Sequence, residues 1–461
     1  MNHSLIWDSS LLKRYDRPGP RYTSYPTAVQ FTSEFSADTF TEAERLSGQE
    51  QRPVSLYFHI PFCDTVCFYC GCNKIVTKRR EQAQPYLDLM CQEMAMHAEN
   101  LGYRAKVEQL HLGGGTPTFL SKEQLSQLME CADKYFDLDF GDFSDYSIEI
   151  DPREADWAMM GHLRDLGFNR ISLGVQDFDP AVQKAVNRIQ PAAMTESLMD
   201  AAHVMNFKSI NLDLIYGLPL QNCKSFLKTV DRVIELQPER LSVFNYAHLP
   251  HRFMPQRRIR DEDLPSPEEK LRIMEATTQR LTEAGYVYIG MDHFALPDDD
   301  LAAAQEEGVL HRNFQGYTTH GHCDLIGIGV SSISQVGDTY AQNFTDMPSY
   351  VEMIEAGKLA INKGYKSNSE DQLRAHVIRR LLCDFHLSFQ DVDKLFGINF
   401  LTHFQRELDE LRVMADDGLL TLDDTAIHVQ PRGRLLIRNI CMTFDEYMAA
   451  AQAQKKFSRV I

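Results

Sequence analysis

Residues 54–72 read VSLYFHIPFCDTVCFYCGC, an apolar run rich in β-branched and aromatic residues that ends in four cysteines. The run predicts a strand, and the thiols then lie on the loop leaving it. Cys63, Cys67, Cys70 and Cys72 are separated by three, two and one residues, and they are four of the chain's ten cysteines. Zinc sites usually clasp the ion between two ligand pairs a dozen or more residues apart. Here all four thiols share one short loop, while Cys91, Cys131, Cys223, Cys323, Cys383 and Cys441 are scattered singly, as small core residues would be. One loop with gaps of three and two can wrap a cube of iron and sulfide, whose corners need thiolates from several directions. The spacing points first to iron–sulfur, with zinc and inert or redox thiols as the alternatives.

Working outward, similar apolar runs recur at 107–113, 145–151, 169–175, 209–217, 240–247 and 286–292. Helical patterns fall between them at 84–99, 121–135, 154–166, 192–206, 222–236 and 267–284. Strand alternating with helix predicts right-handed βα units on a parallel sheet. Polar residues or glycines follow each run, as in HLGGGTPT (111–118), IEIDPRE (148–154), GVQDF (174–178) and GMDHF (290–294). Strand ends that all carry such residues suit a barrel mouth better than the single switch point of a doubly wound sheet. The expected fold is therefore α/β, a partial or open (β/α)6-type barrel. From about residue 365 the pattern changes to two helices, RAHVIRRLLCDFHLSF and FLTHFQRELDELRVMADDG, two strands in GLLTLDDTAIHVQ, and a last helix GRLLIRNICMTFDEYM. That order predicts a smaller, mostly α-helical, winged-helix-like domain. The expected division is an N-terminal arm over 1–50, the barrel over 51–300, a barrel-completing segment and linker over 301–364, and the helical domain over 365–461.

The 461 residues are 43% hydrophobic and 24% charged, with a formal net charge of −18. Non-specific nucleic-acid binding needs a basic surface, so the charge argues against it. The opening MNHSLIWDSSLLKRYDR lacks the basic and apolar regions of a signal peptide, and no stretch approaches eighteen consecutive apolar residues. A cytoplasmic chain without a membrane partner is expected, in a compartment where thiols stay reduced.

YFHIPFCDTVCFYCGC resembles the loop of the radical S-adenosylmethionine (SAM) enzymes, whose C-x3-C-x2-C triad binds a [4Fe–4S] cluster. Within them the chain resembles the oxygen-independent coproporphyrinogen III oxidases, through GPRYTSYPTA (19–28), GCNKIVT (71–77), HLGGGTPT, IEIDPRE, GVQDF, DLIYGLP (213–219), VFNYAHLP (243–250), HRNFQGYTT (311–319), GVSSIS (329–334) and GRLLIRNICM (433–442). The resemblance implies Cys63, Cys67 and Cys70 as cluster ligands, with one iron left open to SAM, and Cys72 off the metal. It implies SAM contacts at Tyr57, Tyr69, Gly114, Gly115, Thr116, Glu149, Gln176, Arg188, Asp213, Ala247 and Ile333, for one molecule or two. Tyr69 stands where the family commonly has Phe, which leaves the stacking face intact. No side chain is implied as an acid or base catalyst. Taken alone, Arg188 would read as a solvated helix residue, and GGGT as a tight strand-to-helix turn.

The implied reaction is oxidative decarboxylation of two propionates of coproporphyrinogen III to vinyls, giving protoporphyrinogen IX in haem biosynthesis. A low-potential electron donor such as flavodoxin or ferredoxin is implied, and a monomer is expected. Propionates favour guanidinium forks, for which Arg21, His311 and Arg312 are candidates. The run Arg257, Arg258 and Arg260 reads more simply as a solvated loop. Two other functions compete. Haem chaperones share the cluster loop, and Tyr at the position of Tyr69, but typically lack a match to Cys72 and to the GPRYTSYP arm. A zinc-bearing regulator would use the C-terminal module on DNA.

Overall fold

The computed structural model describes residues 5–448. The chain forms two compact units, each assembled from separated segments. The barrel unit comprises Phe31–Ile273 and His322–Lys366; the second unit comprises the chain up to Gln30, Met274–Gly321, and the chain from Ser367 onward.

Six parallel strands carry the barrel unit: β1 (Val54–Ile60), β2 (Lys106–Gly114), β3 (Asp145–Ile150), β4 (Arg170–Gln176), β5 (Ser209–Tyr216) and β6 (Arg240–Asn245). Each pairs in parallel with the next. The order never reverses, so there is no switch point and the sheet winds in one direction, as the strand-end pattern predicts. On its other edge β1 pairs in parallel with β7 (Asp324–Ile328) rather than with β6, which keeps the barrel open. Antiparallel β8 (Ile333–Val336), β9 (Thr339–Asn343) and β10 (Ile361–Lys366) continue beyond β7. Helices Ala83–Leu101, Lys122–Tyr135, Trp157–Asp165, Ala192–Val204 and Cys223–Leu236 lie where the helical periodicity puts them.

Parallel strands covered on both faces read as continuous apolar runs. These instead alternate between buried and half-buried positions, as in Ser209–Tyr216, where Asn211, Asp213 and Ile215 are half-buried and their neighbours buried. One face packs on helices and the other lines an interior that polar residues can occupy. Helix Ala37–Glu50, within the stretch expected to be an arm, belongs to the barrel unit. At Gly48 an added Cβ would fall 1.8 Å from the Leu101 carbonyl oxygen, so glycine permits that close backbone approach. Glu44 of the same helix hydrogen-bonds His97 at 2.6 Å.

In the second unit, 286–292 is not a further βα strand. Val287–Gly290 turns back on His293–Ala295 as an antiparallel hairpin, because Met291 and Gly290 take positive φ and reverse the chain. Helix Ser369–Asp384 ends earlier than its pattern suggests: Phe385 is left-handed, and His386–Ser388 becomes a strand. That strand joins Ala426–Val429 and Leu420–Leu422 in a three-stranded antiparallel sheet beside helices Phe389–Phe396 and Gln405–Asp416, which is the winged-helix-like arrangement. The helix expected over 433–448 shortens to Ile437–Met442, after a 3-10 turn at Arg434–Leu436. The segment before residue 30 is tied down by its own partners. Asp417 accepts from Arg14 and Tyr15, Asp445 accepts from Tyr22 at 2.9 Å, and Arg438 donates to the carbonyls of Gly19 and Pro20. Of the scattered cysteines, Cys383 and Cys441 are buried in the core, while Cys91, Cys131, Cys223 and Cys323 are half-buried. No helix among the described residues is long and apolar enough to cross a membrane.

Candidate active site

The cysteine loop is held at the C-terminal end of β1 by backbone hydrogen bonds. Phe62–Cys63 pairs in parallel with Ile75–Val76, closing the loop, and Gly115 and Thr116 donate to the carbonyls of Ile60 and Phe62 at 2.8 Å each. The GGGT turn is thus laid against the loop. A Cβ on Gly115 would meet the Pro61 and Phe62 carbonyl oxygens at 2.7 Å, and one on Gly114, at φ +117°, would meet the His59 ring at 2.9 Å. The glycines are needed for contact with the loop itself, beyond any access they give a ligand.

Three donors aim at two of the sulfurs. Thr116 Oγ1 lies 3.5 Å from Cys63 Sγ, and Arg153 Nη2 and Arg188 Nη1 each lie 3.6 Å from Cys67 Sγ. Asp151 binds both guanidiniums, accepting from Arg153 at 2.6 Å and from Arg188 at 2.8 Å. Burial pushes the Asp151 carboxyl up, but Arg188 and Arg153 outweigh it and hold it below its ordinary value. Arg188 also donates to the Gly174 carbonyl at 2.6 Å and is 6% exposed, so it is a buried clamp and not a solvated helix residue. Its Nε is buried and has no hydrogen-bond partner among the described residues. The neighbouring Asn187 donates to the Val66 carbonyl at 2.8 Å, and Phe68 donates its N–H to the Val186 carbonyl at 2.9 Å, which fixes the loop from that side.

Tyr69 packs with Phe68 against Val182, Val186, Leu218, Tyr246 and Ile259. Gln256 donates to both the Tyr69 and Ala247 carbonyls, tying the β6 end to the loop. Cys72 hydrogen-bonds Cys70 through their side chains; this bond draws the Cys70 thiol down to about 6, while burial pushes Cys63 up to about 11. Of the arginine run, Arg258 stacks 5.0 Å over the Phe68 ring, Arg257 donates to the Pro250 carbonyl, and Arg260 pairs with Asp263, so all three are engaged locally.

Below the loop, the half-buried face of the strands is a continuous polar wall set by register. Tyr57 pairs with His111 and His111 with Ser147; Glu149 pairs with Ser172, Ser172 with Asn211, and Asp213 with Ser242. Tyr57 stacks on His111 at 5.8 Å and donates to His59 Nδ1 at 3.1 Å, while His59 Nε2 donates to the Asn73 carbonyl at 3.0 Å. Burial holds His59 below its usual value, the neutral state that this pattern of bonds requires. Glu149 accepts from His111 and from the Gly114 N–H at 3.3 Å each. Asp213 accepts from Ser172 at 2.9 Å and Asn211 at 2.8 Å, and burial together with the Glu149 charge raises it to about 6. Gln176 ends β4 at φ +67°, a strained conformation beside a bulge in the β4–β5 pairing. Ile333 begins β8 and presses its carbonyl on Gly327. His59 and His111 belong to this wall and Asp151 and Arg153 to the clamp at Cys67, and the sequence reading did not single them out. The signal for the two histidines is the polar residue at every second position of an otherwise apolar strand, whereas Asp151 and Arg153 lie in the turn after β3.

The thiols fit an iron–sulfur cluster better than a single ion. A zinc ion bound at about 2.3 Å to each sulfur draws its ligand atoms within about 4 Å of one another. Among the described residues a group with ligand atoms within 4.8 Å of one another occurs at Glu108, His322 and Cys323, away from the loop. A cube of iron and sulfide spaces its thiolates more widely and welcomes donors to sulfur, which Thr116, Arg153 and Arg188 provide.

The remaining candidates lie in the second unit. Arg21 pairs with Asp292 at 2.5 Å. Arg312 lies with its guanidinium 4.7 Å from the centre of the Tyr317 ring. His311, its neighbour on strand His311–Asn313, points to the other face. There it meets Gly321, and burial, with the charges of Arg379 and Arg380, holds it far below its ordinary value. The structure therefore separates His311 from Arg312.

Residues 57–233 match the Radical SAM superfamily, and residues 368–436 match the HemN C-terminal domain. The chain is 55% identical over its whole length, and the whole of the relative's, to the oxygen-independent coproporphyrinogen III oxidase of Pseudomonas aeruginosa. It is 49% identical to that of Escherichia coli over 99% of this chain and 98% of the other. The solved structure of the Escherichia coli coproporphyrinogen III oxidase, described as a radical SAM enzyme, superposes with a TM-score of 0.92 at 48% identity, covering 96% of this chain and 100% of that one. With a four-cysteine loop at the strand ends of a polar barrel wall and this likeness across both units, the chain belongs to the oxygen-independent coproporphyrinogen III oxidases of the radical SAM superfamily.

Proposed function

We propose that the chain converts coproporphyrinogen III to protoporphyrinogen IX without oxygen, turning two propionate side chains into vinyl groups. Each propionate gives up a β-hydrogen, carbon dioxide and one further electron. The observation that carries this reading is the cage of Cys63, Cys67 and Cys70 above the polar wall, in a chain of this family. When bound, the [4Fe–4S] cluster and SAM together supply a 5′-deoxyadenosyl radical that can take hydrogen from an unactivated carbon.

The chain's own residues control position and charge. Cys63, Cys67 and Cys70 hold the cluster, and the donors Thr116, Arg153 and Arg188 stabilise negative charge on their sulfurs. Cys72 stays off the metal, which leaves one iron of the cluster open to SAM. Tyr57, Tyr69, Gly114, Gly115, Thr116, Glu149, Gln176, Arg188, Asp213, Ala247 and Ile333 hold SAM, in one molecule or two. Two carboxylates on the wall, Glu149 held low and Asp213 held high, suit an amino or ribose group that needs both an acceptor and a donor. A low-potential donor such as flavodoxin or ferredoxin reduces the cluster, and the chain works as a cytoplasmic monomer.

Anaerobic reconstitution with iron, sulfide and reductant, followed by SAM and coproporphyrinogen III, tests the reading. Protoporphyrinogen IX and 5′-deoxyadenosine are both expected, and Cys63→Ala is expected to yield neither. Formation of 5′-deoxyadenosine with coproporphyrinogen III left intact would overturn the substrate assignment.

A further inference from the structure

We propose that Arg312, Arg438 and Arg21 form a carboxylate site within the second unit, and that its occupant is a propionate of the tetrapyrrole; the identity of the occupant rests on the reaction proposed above. Arg312 is 8% exposed, and its Nε and Nη1 are buried without a hydrogen-bond partner among the described residues. Guanidinium remains charged in proteins, so it cannot escape this burial by losing a proton. Stacking on Tyr317 covers the face of the guanidinium and leaves the in-plane N–H groups of Nε and Nη1 in need of acceptors.

Two more cations share the same field. Arg438, 6% exposed on helix Ile437–Met442, is held by the carbonyls of Gly19 and Pro20, immediately before Arg21. Burial and the charges of Arg21 and Arg312 bring Arg438 down to about 10, with Asp292 opposing them. Asp292 is committed to Arg21 at 2.5 Å, and Asp445 is held by Tyr22 at 2.9 Å and by the Tyr447 N–H at 2.9 Å. Arg21 is paired with Asp292 and Arg438 holds the arm, so of these neighbouring cations it is Arg312 whose buried donors are unmet among the described residues. A buried guanidinium with unmet donors beside other cations fits a carboxylate, and coproporphyrinogen III offers four. His311 takes no part, because it points to the opposite face beside Arg379 and Arg380. The same chemistry is carried by the carboxylate of SAM, so the two sources must be separated by experiment.

The full-length protein is titrated with coproporphyrin III, the oxidised fluorescent tetrapyrrole with the same four propionates, and in parallel with SAM by equilibrium dialysis. Arg312→Gln and Arg438→Gln are expected to weaken porphyrin binding about tenfold or more. KM for coproporphyrinogen III should rise in parallel, and SAM affinity should hold. Arg312→Lys should recover part of the loss, since it keeps the charge without the fork. The ligand-free Arg312→Gln protein should melt no lower than the wild type, because no internal hydrogen bond of Nε or Nη1 is lost; a purely structural arginine would lower the melting temperature. Should Arg438→Gln fail to fold, the more exposed Arg21→Gln takes its place. Unchanged porphyrin affinity in folded variants overturns the site, and a loss confined to SAM overturns the assigned occupant. If the wild type fails to convert coproporphyrinogen III while porphyrin binding still depends on Arg312, the reaction falls and the carboxylate site stands.

Discussion

The thiol loop and the guanidinium cluster answer the same problem, holding charged groups away from bulk water, with opposite constructions. Residues 63–72 carry every loop thiol within ten positions, and the wall beneath them is set by neighbouring strands in plain register. Arg21, Asp292 with Arg312, and Arg438 come from three segments far apart in sequence and meet because the arm is tied to the C-terminal domain. The first site should survive any change that leaves the strand ends in place. The second depends on every segment that docks the arm.

The largest effect expected is on the local site. Replacing Cys63, Cys67 or Cys70 by Ala should abolish iron and sulfide retention and product formation, whereas Cys72→Ala should still retain iron and sulfide; metal and sulfide analysis decides it. Next comes Gly115→Ala, whose Cβ would be driven against two backbone oxygens at 2.7 Å. Overpacking of that kind costs about 1–3 kcal/mol, read as a lower melting temperature together with poorer cluster retention.

Asp213 gives an intermediate effect with a definite sign. Its carboxyl is raised from 3.8 to about 6, so the folded protein binds that proton more tightly than the unfolded chain. The corresponding stability is complete below the unfolded value and is lost as pH climbs through 6. Asp213→Asn should therefore stabilise the ligand-free protein by about 2 kcal/mol near neutrality, with the gain shrinking on acidification. A pH series of melting temperatures checks it, and a gain independent of pH would count against the buried-acid account.

The smallest effects separate two residues of the second unit. Arg21→Ala should raise KM for coproporphyrinogen III several-fold, since the Arg21–Asp292 pair is partly exposed and its loss frees Asp292 to repel a carboxylate. His311→Ala should leave KM within about twofold of the wild type, because its ring lies on the face away from Arg312. An equal rise in KM for both would erase the distinction between the two faces of that strand.

The contrast also explains what could be read in advance. The six parallel strands, their helices and the cysteine loop are local patterns of period 2, period 3.6 and fixed spacing, and all appear where those patterns put them. Strand β7 escaped as a strand because it is a five-residue run interrupted by Gly327, and β8–β10 because they are short, mixed in polarity and paired antiparallel beyond it. Residues 286–292 misled because an apolar run says nothing of the turn that follows, which Gly290 and Met291 make into a hairpin. Arg188 looked solvated because its burial depends on Asp151 and Cys67, distant in sequence. Arg438 lies in GRLLIRNICM, which carries the resemblance, but nothing local gave it a role: its partners are Gly19 and Pro20, at the other end of the chain.

The central claim is that radical formation at the thiol loop is spent on the propionates of coproporphyrinogen III. Its most direct test measures 5′-deoxyadenosine, carbon dioxide and vinyl groups in one anaerobic reaction of the reconstituted wild type. The account predicts that all three rise together until two vinyls stand on each product molecule. Release of 5′-deoxyadenosine without carbon dioxide or vinyl groups would contradict it.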